Sequence, residues 1–244
     1  MRVSSQPVMI QHAPVSISVV VPTLEEADRV APFLQGVIGC LGPDDEVVLV
    51  DGGSADGTLE RARALDLPRV RVLSSPPGRA TQMNEGAAHA RGSWILFLHA
   101  DSQLSPGCLD SIRAVARGCE ASWGHFRLRI TDPARAFRWI ELGIILRSRA
   151  LSSPSGDQGL FVERDQFERL GGFPDVPLME DLILADRLRR RSPPARPSPA
   201  VGTSARRWRA QGIVRTVLRM WALRAAFRLG VSPERLARHY APVR

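Results

Sequence analysis

Acidic residues gather at three places where apolar runs stop. Pro22-Thr23-Leu24-Glu25-Glu26 follows the run at residues 16–21, Asp51-Gly52-Gly53-Ser54-Ala55-Asp56-Gly57-Thr58 follows residues 46–50, and His99-Ala100-Asp101-Ser102 follows residues 94–98. Carboxylates crowded at one rim repel one another unless a cation joins them. A divalent metal carrying a diphosphate supplies that cation, and ribose hydroxyls offer the same oxygens hydrogen bonds. Asp, Ser and Gly also cap helices and form turns. Asp56 and Thr58, just ahead of a helical segment, read as such turn formers, whereas Asp51 and Asp101 read as ligand-facing.

These residues need elements to hold them. Residues 16–21 (SISVVV) and 46–50 (EVVLV) are short apolar runs that read as buried strands, and residues 70–73 and 94–98 (WILFL) read as a third and a fourth strand. Between them, residues 28–39, 58–65 and 81–90 have helical apolar spacing or are alanine-rich. Such alternation predicts a parallel, helix-covered sheet of Rossmann-like type, with ligands at the carboxyl ends of its strands. The acidic clusters stand at those ends. Beyond Asp101 the pattern predicts a helix over 105–117, one alternating strand over 121–130, a helix over 133–147, a short strand over 160–162, helices over 165–170 and 180–190, and a proline-rich loop over 192–199.

All 33 residues counted as Lys+Arg are arginine. No Schiff base, pyridoxal phosphate anchor or P-loop lysine is therefore available. The net charge of +8 is uneven: residues 1–122 hold 10 Arg against 14 acids, and residues 123–244 hold 23 Arg against 11. A basic half suits a nucleic acid, a phosphorylated ligand or an anionic membrane, or merely uses arginine as the solvating cation. A hydrophobic fraction of 44% fills a real core. Cys40, Cys108 and Cys119 form no CxxC, so neither a zinc site nor a disulfide framework is indicated, and reduced cytosolic thiols are expected. The polar N-terminus, broken by Pro7 and Pro14, lacks the apolar stretch of a signal peptide, and no run reaches the ~20 apolar residues of a membrane span.

Taken in order, Val20-Val21-Pro22-Thr23-Leu24-Glu25-Glu26, Val50-Asp51-Gly52-Gly53-Ser54, His99-Ala100-Asp101 and Gly171-Gly172-Phe173 with Glu180-Asp181 resemble the family 2 glycosyltransferases of the GT-A fold. The block Arg79-Ala80-Thr81-Gln82-Met83-Asn84, with Gly156-Asp157-Gln158-Gly159, is similar to a small bacterial subgroup described as arsenosugar-biosynthesis or radical-enzyme-associated transferases. The resemblance implies a mixed, mostly parallel α/β sheet flanked by helices. It implies a tail over residues 1–15, a transferase domain over 16–203 (nucleotide half 16–102, acceptor half 103–203) and basic helices over 204–244. Pro22, Thr23, Glu25, Asp51 and Gly53 would surround the base and ribose of a UDP- or GDP-type sugar donor, with Arg79 and Asn84 beside them. An arginine there grips a base edge or a phosphate with its fork.

Asp101 matches the last acid of the family's Asp-x-Asp motif and would bind Mg2+ or Mn2+ bridging the diphosphate. His99 stands where the first acid belongs. It is either a ligand, which manganese tolerates better than magnesium, or a hydrogen-bond donor to ribose or phosphate. Asp181 matches the general base that deprotonates the acceptor hydroxyl in a single inverting displacement. Glu180, pointing elsewhere from the same helix start, is the second catalytic candidate of the pair, in which one carboxylate can cap the helix while the other reacts. Asp157 and Gln158, and less readily His125, would line the pocket of a small-molecule or lipid-linked acceptor.

Ser204-Ala205-Arg206-Arg207-Trp208 is similar to a Gln-x-x-Arg-Trp signature with serine in the first place, which leaves Arg206 or Arg207 to neutralise the leaving diphosphate. Residues 212–230 form a helix with four interleaved arginines that either docks on the domain or lies on an anionic membrane. No RNA- or DNA-binding pattern appears, so no nucleic acid partner is expected. A nucleotidyltransferase would want a glycine-rich basic loop after the first strand, which residues 22–26 are not. A non-catalytic sugar-nucleotide or membrane-surface binder is the remaining alternative.

Overall fold

The computed structural model describes residues 14–119, 121–151 and 154–240, so most of the expected N-terminal tail lies outside the described residues. The first half runs β1 (Ile17–Thr23), α1 (Val30–Ile38), β2 (Glu46–Asp51), α2 (Thr58–Ala64), β3 (Val70–Ser74), α3 (Arg79–Ala88) and β4 (Trp94–Phe97). The second half runs β5 (Ser102–Leu104), α4 (Cys108–Gly118), β6 (Trp123–His125), β7 (Arg127–Ile130), α5 (Arg135–Leu151), a single 3-10 turn (Gly156–Gln158), β8 (Leu160–Glu163), α6 (Arg164–Arg169), α7 (Glu180–Arg189), β9 (Ala200–Thr203), α8 (Arg206–Gln211), α9 (Ile213–Arg228) and α10 (Pro233–Ala237).

The main sheet has the order β3-β2-β1-β4-β8-β6. Its first four strands are parallel, and β8 pairs antiparallel with both β4 and β6. This is the mixed, mostly parallel sheet the sequence predicts. Because side chains alternate along a strand, Val19, Val21, Leu49 and Leu96 enter one core with Leu34 and Val37 of α1. Val20, Val48, Ile95 and Phe97 enter the other, with Met83 of α3 and Leu184 and Leu188 of α7. Helix α3 lies close on the sheet because residue 86 is glycine: a Cβ there would run into the Val20 side chain and come within 3.1 Å of Val50 Cγ2. Thr23 of β1 stands opposite Asp51 of β2, so both strands deliver their carboxyl ends at one level.

Two features depart from the expectation. The alternating segment 121–130 is two strands. Residues on β6 join the main sheet beside β8, and those on β7 cross into a second sheet of order β5-β9-β7. The turn falls at the fully buried Phe126, whose N–H donates to the Gln158 carbonyl at 2.9 Å. Strands β5 and β9, which build that second sheet, were not foreseen either.

The C-terminal helices dock on the domain, one of the two expected alternatives. Leu223 and Leu236 pack with Leu178, Met179 and Leu182 at the start of α7. Arg228 pairs with Asp186 at 3.0 Å, and Arg209 with Asp132 at 2.6 Å. Among the described residues, no helix is long and apolar enough to cross a membrane.

Candidate active site

The loops at the carboxyl ends of β1 and β2 are laced together. Glu25 N–H donates to Ser54 Oγ at 2.9 Å, Glu26 N–H to Thr58 Oγ1 at 2.9 Å, Ala27 N–H to Asp56 Oδ2 at 3.0 Å, and Ala55 N–H to Glu25 Oε1 at 2.7 Å. Asp56 and Thr58 thus serve as turn formers, as expected. Asp51 is fully buried and folds onto its own loop. It accepts the Gly53 and Ser54 N–H groups at 2.9 Å and the Ser54 hydroxyl at 2.6 Å. Gly53, at φ +88°, takes the left-handed conformation this loop needs. Between the two loops, the buried Thr23 hydroxyl has no partner.

Helix α3 braces this rim through three polar residues. Gln82 donates to the Thr23 carbonyl at 2.7 Å and the Val50 carbonyl at 2.8 Å, tying β1 to β2. Asn84 donates to the Phe173 carbonyl and accepts the Phe173 N–H, both at 2.9 Å, which fixes the Gly171-Gly172-Phe173 turn. Arg79 Nε meets Glu180 Oε1 at 2.5 Å. Arg79 and Asn84, expected beside the nucleotide, are therefore both engaged with the segment leading into α7. Asn84→Ala removes two hydrogen bonds to that turn and is expected to cost about 1–2 kcal/mol in urea unfolding.

Glu180 is 2% exposed. Burial, reinforced by the Asp181 charge, raises its carboxyl above the usual glutamate value despite the opposing pull of Arg79. Its neighbour Asp181 points instead into a cavity of about 350 Å3. Asp181 Oδ2 accepts the Gly156 N–H at 2.6 Å, and Oδ1 lies 2.8 Å from the Leu182 N–H. The same cavity is lined by Arg79, His99, Asp101, Asp157 and Trp208. Gly156 is the joint between them: a Cβ there would sit 3.1 Å from His99 Nε2 and 3.4 Å from Asp181 Oδ2. Asp157 Oδ1 is buried with no partner. The end of β4, the 156–158 turn and the start of α7 thus bring three carboxylates and an imidazole to one wall.

Other expected residues lie apart from it. Gln158 is buried and accepts the Ser155 N–H at 2.9 Å while donating to the Phe126 carbonyl at 3.2 Å. His125 is buried against the Ser148 hydroxyl at 3.2 Å, and burial pushes its imidazole down to about 4. Both hold the crossing between the two sheets. Arg206 pairs with Glu26 at 3.1 Å, linking α8 to the β1 loop. The side chain of Arg207 lies outside the described residues. Trp208, by contrast, lines the cavity and stacks edge-on against Phe137 with centroids 6.2 Å apart. Arg147 and Arg224, which also line the cavity, were not singled out from the sequence.

The chain is 30% identical over 169 residues to a PGL/p-HBAD biosynthesis glycosyltransferase of Mycobacterium bovis, covering 64% of this chain and 62% of that one. It is 30% identical over 143 residues to the succinoglycan biosynthesis protein ExoO of Rhizobium meliloti, covering 57% and 41%. The chain therefore spans less than two thirds of the length of these relatives. Among solved structures, S. aureus TarS 1-349 in complex with UDP-GlcNAc superposes with a TM-score of 0.64 at 17% identity, over 78% of this chain and 58% of that one. The mannosyltransferase PcManGT of Pyrobaculum calidifontis, in complex with GDP-Man and Mn2+, superposes at 0.59 with 23% identity, over 80% and 57%. The architecture is the GT-A fold. The model of the family "Glycosyl transferase family 2" matches residues 18–149, and the chain belongs to that family.

Proposed function

We propose that the chain transfers a sugar from a UDP- or GDP-type nucleotide-diphosphate sugar to an acceptor hydroxyl, with inversion at the anomeric carbon. Asp181 takes the hydroxyl proton as that oxygen bonds to the anomeric carbon. The bond from this carbon to the diphosphate oxygen breaks in the same step, and the diphosphate leaves with the electron pair. One observation carries the reading: Asp181, Asp157, Asp101 and His99 line a single cavity at the carboxyl ends of the parallel strands. The Gly156 N–H holds Asp181 in one orientation, as a base must be held. Glu180 keeps the start of α7 in place through Arg79.

Pro22, Thr23, Glu25, Asp51 and Gly53 would bound the base and ribose. The neighbours solved with UDP-GlcNAc and GDP-Man support a nucleotide-sugar donor. Asp101 and His99 would hold Mg2+ or Mn2+, and a carboxylate with an imidazole suits manganese. Among the described residues, no three His, Cys, Asp or Glu side chains group to hold an ion by themselves. Phosphate oxygens and water would complete the shell. The cation would draw off charge developing on the leaving diphosphate, a task in which Arg206 and Arg207 would share.

The reading keeps the division into a transferase domain over 16–203 and basic helices over 204–244, and the affinity of the Arg79–Asn84 block for the arsenosugar-associated subgroup. It also keeps a peripheral contact with the inner membrane face through residues 206–230. Val214 and Leu218 of α9, 70% and 63% exposed, support that contact. Calorimetry with UDP and GDP, with and without Mn2+, tests the donor site. We expect one nucleotide to bind, at least about tenfold tighter with the metal; failure of both to bind sinks the reading.

A further inference from the structure

Helices α5 and α9 present the same kind of row to the cavity. Ile140, Gly143, Ile144 and Arg147 of α5 line it at i, i+3, i+4 and i+7. Val217, Met220, Trp221 and Arg224 of α9 line it with the same spacing. That spacing lays side chains along one helix face, and a row that serves only packing is apolar throughout. Here each row ends in a guanidinium.

A cation withdrawn from water needs an anion beside it. Arg147 donates to the Ser155 hydroxyl at 3.1 Å, and its Nε is buried without a partner. Burial first, and then the charge of Arg224, pushes the Arg147 guanidinium down to about 10. Asp157 and Asp181 act on it from the same wall. Yet Asp157 Oδ1 is itself buried without a partner, and Asp181 is held by the Gly156 N–H. Two positive charges thus oppose one another at the ends of two otherwise apolar helix rows, across the cavity from the carboxylate wall. Of the side chains that line the cleft, Trp139 is 75% and Trp221 58% exposed.

We propose that this cleft binds the acceptor and that the acceptor is an anionic amphiphile. Its apolar chain or ring lies between Trp139 and Trp221, and its phosphate or carboxylate lies on Arg147 and Arg224. The assignment rests on the transferase reading, since the hydroxyl to be glycosylated must also reach Asp181 on the same wall. The amphiphile comes either from free solution or from a lipid layer; the charge and shape of the cleft are the same for both.

Decyl phosphate, decanol and inorganic phosphate are titrated into the full chain and followed by tryptophan fluorescence. Decyl phosphate is expected to bind at least about tenfold tighter than either of the others. Arg147→Gln and Arg224→Gln are each expected to weaken it about tenfold, with the affinity for the bound nucleotide unchanged. Trp221→Ala, on an exposed face, gives a second handle: it weakens decyl phosphate and leaves inorganic phosphate alone. Decanol binding as well as decyl phosphate overturns the role of the arginines. Inorganic phosphate binding equally well overturns the apolar half. Lost nucleotide affinity in the two arginine variants assigns those residues to the donor diphosphate and also overturns the proposal. Failure of UDP and GDP to bind the unaltered chain, with decyl phosphate still bound, sinks the transferase reading alone. Flotation with phosphatidylcholine vesicles carrying dodecyl phosphate identifies a lipid-layer source, and binding of decyl phosphate without flotation identifies a free one; either supports the cleft.

Discussion

Asp181→Asn lowers turnover by about a thousandfold, the middle of the range for a positioned general base, and leaves nucleotide affinity and unfolding midpoint close to those of the parent. The substitution is nearly isosteric. An asparagine carbonyl still accepts the Gly156 N–H that Asp181 Oδ2 accepts at 2.6 Å, so the 156–158 turn keeps its anchor. Besides proton acceptance, only the acceptor that Oδ1 offers the Leu182 N–H at 2.8 Å is lost. Single-turnover transfer from the donor that calorimetry identifies separates this from a binding defect. A loss below about tenfold would show that the base is elsewhere. Asp157 is then the next residue to test, because it is the carboxylate of the 156–158 turn that lines the same cavity. A non-catalytic binding protein predicts no turnover in either form and unchanged ligand affinity in both.

The first half of the fold was legible because β1, β2 and β4 are buried on both faces and read as near-continuous apolar runs, with the chemistry placed at their carboxyl ends, while the part-buried edge strand β3 follows from the alternation of strand and helix. The second half was less so. Alternation from Trp123 to Ile130 reports which side chains point inward and not which strand lies alongside. One run therefore became β6 beside β8 and β7 beside β9. Strands β5 and β9 are three and four residues long and contain Ser102, Gly202 and Thr203, so no apolar run marks them. The same limit applies to the site. Asp101, His99, Asp157 and Asp181 are recognisable as chemistry-bearing residues, and they meet in one cavity. What braces them is non-local: Asn84 reaches Phe173 and Arg79 reaches Glu180, 89 and 101 residues away. The arginines of the cleft were written in their helical spacing, at 140, 143, 144 and 147 and again at 217, 220, 221 and 224, but two rows become a site only when the fold sets them face to face.

Arg79→Met is expected to destabilise the protein by about 2–3 kcal/mol at neutral pH, at and just below the lower end of the range for breaking a buried pair because Arg79 is itself part-exposed. Glu180 is the reason. It is 2% exposed and its carboxylate sits 2.5 Å from Arg79 Nε. Burial already raises its pKa, with the Asp181 charge adding to the rise and Arg79 holding it back. Without Arg79 it rises further, and at neutral pH the carboxylate is either buried alone or must take up a proton. A group whose folded pKa lies above its unfolded value contributes stability that is full below the unfolded pKa and is lost as pH climbs through the folded one. The deficit of the variant against the parent is therefore smaller at pH 5 than at pH 7, measured by urea unfolding at both. Adding Glu180→Gln removes the uncompensated charge and is expected to restore much of the loss at pH 7 while flattening the pH dependence. Equal deficits at the two pH values, with no recovery in the double variant, would mean that Arg79 does not support Glu180. The double variant also isolates the role the family resemblance implies for Arg79 at the nucleotide: stability returns with Glu180→Gln, whereas any affinity for UDP or GDP that Arg79 supplies directly does not.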